Sequence, residues 1–439
     1  MKRDSFHEFP IYLKATAGMR ILEPSRRQRL IKAVRDVLGN HTYCKFHFKS
    51  LDQARVISGE EEAIYGWTGV NFILGTLLQS SEGTGSVANP KLTHGALEMG
   101  GASSQISFYE PNEDIMSNLF KLQIGQGKHW NVYAHSHLYF GINEAWNRHS
   151  AYLSWGEGGN RLHGHIYDPC LPGDSRITIQ SNIHYRHGLE AWPIGNESDI
   201  YHSTLSNKNT SGDFERCAAI TTVLLNKQNN NWCNFSHRND CSFSGVYQPR
   251  LPTQSNHFGE FLAFSNYYKV VDFLNIPNRF TVQTLKNATK SLCSLNENEL
   301  LSFNAGRLEK EDALQMCFKS MFVYQLLHNG YGFKLDQRIT AANVVNGHKI
   351  GWALGSMLYE INSLPWTYIP NDNDKGISEE KALMKKSMMM MMICAIASLF
   401  WILFQLRRRH NYERIPNLRK NRMWLSESSM NDLEIEPTF

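Results

Sequence analysis

The chain's 439 residues, 42% of them hydrophobic, supply enough apolar material for two lobes of ordinary size, each with its own core. A net charge of +4, with the excess of Lys and Arg gathered at the C-terminus, leaves no basic stripe and excludes nucleic acid as a partner. The chain carries no internal repeat, and its first ten residues, M-K-R-D-S-F-H-E-F-P, lack an apolar core of signal-peptide length.

Tyr12 to Leu22, Y-L-K-A-T-A-G-M-R-I-L, is a short apolar run followed by small residues, a glycine and a helical pattern, which predicts a strand leading into a hydroxyl-bearing loop. Ser25 to Leu38 has Leu30, Ile31, Val34, Val37 and Leu38 at helical spacing, so a helix with one buried face is expected, its arginines solvated. From Val56 to Gly75 three consecutive acids, Glu60, Glu61 and Glu62, stand between a strand-like segment and an aromatic-rich amphipathic helix. Adjacent carboxylates repel, and beside a phosphate loop that arrangement suits a metal or a general base of raised pKa. Thr93 to Phe108, T-H-G-A-L-E-M-G-G-A-S-S-Q-I-S-F, reads as two strands joined by a Gly-Gly turn. Gly100 and Gly101 tolerate positive φ, so backbone N–H groups can converge on an anion there. Ser103, Ser104 and Gln105 add donors and Glu98 a carboxylate at the mouth, while the plain alternative is an ordinary hairpin.

Further on, His135 and His137 fall on one face of a predicted strand. A bare H-x-H, there or at His163 and His165, is also a zinc pattern, but the sequence places no third ligand. Eight cysteines accompany N-x-S/T sequons at Asn40, Asn196, Asn209, Asn234 and Asn287, a combination that favours a lumenal or extracellular domain. Phe258 to Tyr268 is dense in aromatics, of which Tyr267 and Tyr268 could stack on a base or simply fill a core. Beyond Pro365 the chain turns polar, as a stalk does. Ser387 to Leu406 follow without a charge, and at about 1.5 Å per residue they span about 30 Å, the thickness of a bilayer's hydrocarbon core. Arg407, Arg408 and Arg409 come next, so the positive-inside rule puts the C-terminus in the cytosol and the large domain outside.

Three segments in order, Ala15 to Arg20 (A-T-A-G-M-R), Ser58 to Trp67 (S-G-E-E-E-A-I-Y-G-W) and Gly95 to Ile106 (G-A-L-E-M-G-G-A-S-S-Q-I), resemble the signature motifs of the ecto-nucleoside triphosphate diphosphohydrolases, or apyrases. Further likenesses include V-Y-A-H-S-H-L-Y-F-G around His135, Asp168-Pro169-Cys170, Phe261 to Ser265, Asn329 to Phe333 and Gly351-Trp352-Ala353-Leu354-Gly355, so the resemblance covers about Pro10 to Pro365. It implies an α/β, two-lobed, actin-like (RNase H-like) hydrolase fold that removes terminal phosphates from nucleoside tri- and diphosphates such as ATP and ADP, with Ca2+ or Mg2+ in the cleft. On that basis residues 1–58 belong to a partial first lobe, 59–342 to the second lobe and 343–369 to a return to the first. A stalk (370–386), a transmembrane helix (387–406) and a cytosolic tail (407–439) complete the expected organisation. A homo-oligomer is left open. The resemblance pairs Cys170 with Cys217, Cys233 with Cys241 and Cys293 with Cys317, with Cys44 odd.

Residue by residue, the resemblance makes Glu62 the general base, with Ser103 and Gln105 holding the attacking water. Gly100, Gly101, Ala102, Ser103 and Thr16 are expected to face the phosphates, Glu98 to orient the metal, and Tyr267 and Tyr268 to lie in the nucleobase region, with Trp352 near the cleft. Departures are visible too: no D-x-G-S-S-x-T loop occurs anywhere, Glu98 stands for an aspartate, Ala63 for a glycine, Glu60 for a glutamine and Lys269 for the stacking tyrosine. The expectation is therefore an N-terminally truncated apyrase-type phosphohydrolase, the alternative a catalytically impaired membrane glycoprotein that binds nucleotides weakly.

Overall fold

The computed structural model describes residues 3–77, 90–111, 119–123, 129–155, 165–181, 183–186, 190–193, 201–227, 241–252 and 260–363. It opens with β1 (Leu13–Ala15), α1 (Ala17–Arg20), α2 (Pro24–Leu38) and β2 (Ala54–Val56), the two strands pairing in parallel. Pro24 opens α2 at a position that needs no N–H, and the Glu23 carboxylate accepts from the Ser25 and Arg26 N–H groups. The buried face expected on α2 is a correction. Only Ile31 is buried, while Leu30 and Val37 are exposed, because the helix has just a two-stranded ribbon to pack on.

Next comes α3 (Gly59–Ile73), started by a capping box in which the Ser58 hydroxyl accepts from the Glu61 N–H and the Glu61 carboxylate accepts from the Ser58 N–H. The three acids thus occupy its first turn, where the helix dipole favours them. β3 (Gly95–Met99), β4 (Ser103–Tyr109), β5 (Leu119–Gln123) and β6 (His129–Leu138) form an antiparallel series, followed by α4 (Ile142–Trp155). A second sheet has β7 (His165–Tyr167) and β8 (Ser175–Ser181) on either side of β11 (Tyr201–Asn207), with a hairpin of β9 (Ile183–Arg186) and β10 (Glu190–Pro193) between them in sequence. Then follow α5 (Phe214–Leu224), β12 (Phe261–Ser265), α6 (Asn266–Phe273), β13 (Arg279–Thr281) and α7 (Val282–Cys293). The helices α8 (Glu297–Asn304), α9 (Lys310–Leu314) and α10 (Met316–Gln325) lead to β14 (Arg338–Ala341) and α11 (Trp352–Ser363).

The main sheet has the order β13-β14-β12-β3-β4-β6-β5, with β12 parallel to both β3 and β14 and its other pairs antiparallel. The fold is therefore α/β with a mixed sheet. Alternation along the strands divides its core in two. Leu97, Met99, Ile106 and Phe108 pack on one side with Phe261, Tyr267, Phe318 and Phe322, and Ala96, Val132, Ala134 and Phe264 on the other with Trp67 and Val70 of α3. Each such large side chain contributes about 1.5–3 kcal/mol when fully buried.

On its far side α3 meets α11, and glycines let the backbones touch. A Cβ on Gly355 would lie 1.9 Å from the Tyr65 carbonyl oxygen, and one on Gly69 2.8 Å from that of Gly351. The Gly-Trp-Ala-Leu-Gly motif thus begins a helix pressed onto α3, and a Lys14–Glu360 ion pair at 2.7 Å ties that helix to β1.

Two of the expected disulfides are present, Cys170–Cys217 and Cys293–Cys317, and Cys44 is free and buried. The third pairing involves Cys233, outside the described residues, as are the stalk, the expected membrane span at 387–406 and the tail. Among the described residues no helix is long and apolar enough to cross a membrane. Cys170 and Cys217 close a loop across 47 positions, so replacing both with alanine is expected to lower stability by about 2–4 kcal/mol. Denaturant unfolding of the variant beside the oxidised parent measures this.

Candidate active site

Strand register builds the centre of the site. Glu98 of β3, Gln105 of β4 and Ser136 of β6 are direct cross-strand partners, so their side chains form one polar row on the α3 side of the sheet. Helix α3 lies on that row through residues three and four apart, Gly59, Glu62 and Gly66. A Cβ at Gly59 would fall 2.3 Å from the Ser136 Cβ, and one at Gly66 would be 3.6 Å from Glu98 Oε2. The two glycines admit the helix close enough to lower Glu62 into the same polar layer.

The three adjacent acids have separate fates. Glu61 caps α3 and pairs with Arg55, Nη1 to Oε2 at 2.8 Å; burial pushes its carboxyl up, but the Arg55 contacts outweigh that and hold it below the ordinary value. Glu60 faces His135, Oε1 to Nδ1 at 3.7 Å. Glu62 is buried and accepts from Arg20 Nη2 at 2.8 Å, while the other guanidinium nitrogen, Nη1, donates to the Ile57 carbonyl. Burial raises the Glu62 carboxyl above its usual range, with Arg20 opposing and the Glu60 charge adding to the rise.

Ser103 and Gln105 are both buried beside it. Gln105 Nε2 donates to Ser103 Oγ at 2.6 Å and to Ser136 Oγ at 2.9 Å, and Arg20 Nη2 lies 3.4 Å from Ser103 Oγ. Glu98 Oε2 and Gln105 Oε1 are buried with no hydrogen-bond partner. Burial, with the Glu62 charge added, holds the Glu98 carboxyl well above its ordinary value. A carboxyl raised on folding stabilises the fold below its unfolded value, about 4.3, and that contribution is lost as pH rises through the folded value. Glu98→Gln in chelator is therefore expected to unfold on the order of a few degrees above the parent at neutral pH, the gap closing under acid conditions. A thermal unfolding series across pH checks it.

The Gly-Gly turn differs from expectation. Neither Gly100 nor Gly101 takes a positive φ, and the Gly100 N–H closes onto the Ser103 carbonyl at 2.9 Å instead of pointing at an anion. The Gly100 and Gly101 carbonyls accept from the first N–H groups of α4, at Ile142, Asn143 and Glu144. That helix terminus is thereby satisfied by the loop itself. Ala102, also buried, receives the Tyr139 N–H on its carbonyl, and a Cβ at Gly141 would lie 2.4 Å from the Ala102 nitrogen. Thr16 stands half-buried at the carboxyl end of β1, its carbonyl accepting from Met19 and Arg20.

Tyr267 is also a correction. It is 1% exposed, its hydroxyl hydrogen-bonded to Ser104 Oγ at 3.2 Å, because α6 starts at Asn266 and turns residue 267 inward against the main sheet. It belongs to the core and offers no face to a nucleobase. Tyr268 is half-buried against the same core, while Lys269 is exposed. Trp352 is half-buried at the start of α11.

His135 and His137 lie edge to face with centroids 4.5 Å apart, and burial lowers both imidazoles below their ordinary value, leaving them neutral. His137 also stacks on Phe243. The metal-like cluster found among the described residues is His149, Asp168 and Cys170, but the Cys170 sulfur is bonded to Cys217, leaving a buried His149–Asp168 pair at 2.9 Å. Residue-by-residue reading missed Arg20, Ser136 and Gly59. Their signal is only positional, since each sits inside or beside a motif whose other members were noticed.

Residues 2–385 match the GDA1/CD39 (nucleoside phosphatase) family. The chain is 32% identical over 369 residues to ectonucleoside triphosphate diphosphohydrolase 1 of Bos taurus, covering 82% of this chain and 67% of that protein. It is also 32% identical over 375 residues to ectonucleoside triphosphate diphosphohydrolase 2 of Mus musculus, at 83% and 69% coverage. In fold it is similar to a crystal structure of nucleoside triphosphate hydrolases from Neospora caninum, with TM-score 0.55 and 16% identity over 80% of this chain and 72% of that one. The chain is a nucleotide phosphohydrolase and belongs to the GDA1/CD39 (nucleoside phosphatase) family.

Proposed function

We propose that this chain removes the terminal phosphate of extracellular or lumenal nucleoside tri- and diphosphates such as ATP and ADP, using a water activated by Glu62 beside Ca2+ or Mg2+. The observation that carries this reading is the buried Glu62 carboxylate, ion-paired to Arg20 and adjoining the Ser103–Gln105 pair. Glu62 takes a proton from the attacking water. Gln105 Oε1, an acceptor without a donor, accepts a hydrogen bond from the water's other O–H, which stays on the oxygen and leaves a lone pair aimed at the phosphorus. With Ser103 Oγ accepting from Gln105, its own proton remains for a phosphate oxygen.

Glu98 fits a divalent cation: it is a carboxylate with one oxygen orphaned and buried, close enough to Glu62 for the charges to interact, and a hard ion prefers such oxygens together with retained waters. When bound, the ion supplies the charge that offsets the negative charge of the transferring phosphoryl group. The reading extends to a two-lobed actin-like frame anchored by residues 387–406 with the large domain outside. Two disulfides and exposed sequon residues at Asn40, Asn209 and Asn287 support that placement.

The test is phosphate release from ATP and ADP by membranes of cells expressing the chain, with Ca2+, with Mg2+ and with chelator, beside Glu62→Gln. Metal-dependent release that vanishes in the variant is expected; equal release by both would refute the assignment.

A further inference from the structure

We infer that Ser136 is a positioning residue for the hydrolytic reaction, holding the Gln105 amide so that its oxygen, and not its nitrogen, is offered to the attacking water. The inference rests on the function proposed above and concerns the strand beside the Gly-Gly hairpin. A glutamine amide has two ends of nearly equal shape, one with two donors and one with two lone pairs, and only its neighbours decide which end faces a ligand. In Gln105 the nitrogen reaches both Ser103 Oγ at 2.6 Å and Ser136 Oγ at 2.9 Å, so both of its protons are engaged. The oxygen is buried without a partner. One serine alone leaves the amide free to swing about a single contact; two serines on the same nitrogen fix its plane.

Ser136 reaches that place for three reasons readable in the backbone. It is the direct β6 partner of Gln105, so both side chains leave the sheet on the same side. It lies beyond the stretch of β6 paired by β5, which ends at Tyr133, so among the described residues no outer strand flanks it. Finally, Gly59 stands over it, and a Cβ there would lie 2.6 Å from the Ser136 hydroxyl oxygen. The first residue of α3 is thus kept small by the serine that orients Gln105, while Glu62 descends from the same helix into the same layer.

Ser136→Ala is expected to lower kcat for ATP by about tenfold, the usual worth of one hydrogen bond lost from a positioned group, with KM within about twofold of the parent. Ser136→Cys, nearly the same shape but a poor acceptor, falls by a similar factor. In a Gln105→Ala background Ser136→Ala costs nothing further, because the group it orients is gone. Thermal unfolding of each variant separates these effects from damage to the fold. The role is overturned if Ser136→Ala or Ser136→Cys turns over as fast as the parent. It is equally overturned if Ser136→Ala costs the same factor with and without Gln105, or if its loss of rate follows its loss of Tm. Absence of metal-dependent release from the parent itself would instead overturn the proposed function, and the role of Ser136 with it.

Discussion

Glu62→Gln is expected to lower kcat by about a hundred- to ten-thousand-fold, the range that a positioned general base contributes. The substitution keeps the side chain's size, and its amide oxygen can still accept from Arg20 Nη2, which now reaches Glu62 at 2.8 Å. What disappears is the ability to take a proton. Since the amide would still lie in the polar layer under α3, nucleotide affinity is expected to change little, so the loss falls on kcat and not on KM. Initial-rate measurements with ATP and with ADP, beside an equilibrium binding measurement on the same preparation, check both halves of this expectation. A variant that retains more than about a tenth of the parent's kcat would remove Glu62 from the role of base.

Much of the scaffold was legible from local pattern. The helix that follows the acid triplet and the hairpin around Gly100 and Gly101 follow patterns set within a few residues, and the cysteine pairs at 170/217 and 293/317 follow from the resemblance. Tyr267 was not legible, because an aromatic-rich run reads the same whether it lines a shelf or fills a core, and only the start of α6 at Asn266 decides which way residue 267 turns. The face of α2 failed for a similar reason: periodicity marks which residues can be buried, not whether a partner layer covers them, and Leu30 and Val37 remain exposed. Arg20 and Ser136 acquire meaning only through contacts with residues 42 and 31 positions away, which no local pattern encodes.

The glycines show the same division. Gly100 and Gly101 invite an explanation by backbone freedom, yet neither uses positive φ. Gly59, Gly66 and Gly69 look like weak points in a helix, where glycine costs about 1 kcal/mol relative to alanine. Each instead marks a contact, with Ser136, Glu98 and the Gly351 carbonyl in turn. The helix gives up intrinsic propensity so that a polar row, a carboxylate and a second helix can all approach it.

Arg20→Met is expected to reduce activity at neutral pH by about ten- to a hundredfold, and to move the acid limb of the pH–rate profile to higher pH. The sign follows from the forces on Glu62. Burial and the Glu60 charge raise its carboxyl, and Arg20 is the group that opposes them, through its charge and its hydrogen bond. Methionine fills similar volume without the charge, so Glu62 binds a proton more readily, and a protonated base cannot accept another. Activity should therefore recover as pH rises, which distinguishes a titration effect from a collapsed site. Arg20→Lys restores the charge but not the two-armed contact in which Nη2 meets Glu62 while Nη1 holds the Ile57 carbonyl, so its acid limb should fall between those of the parent and Arg20→Met. Profiles of kcat/KM against pH for the three proteins decide the matter. An acid limb that stays in place when Arg20 is replaced would mean that the group titrating in catalysis is not the carboxylate to which Arg20 is bound.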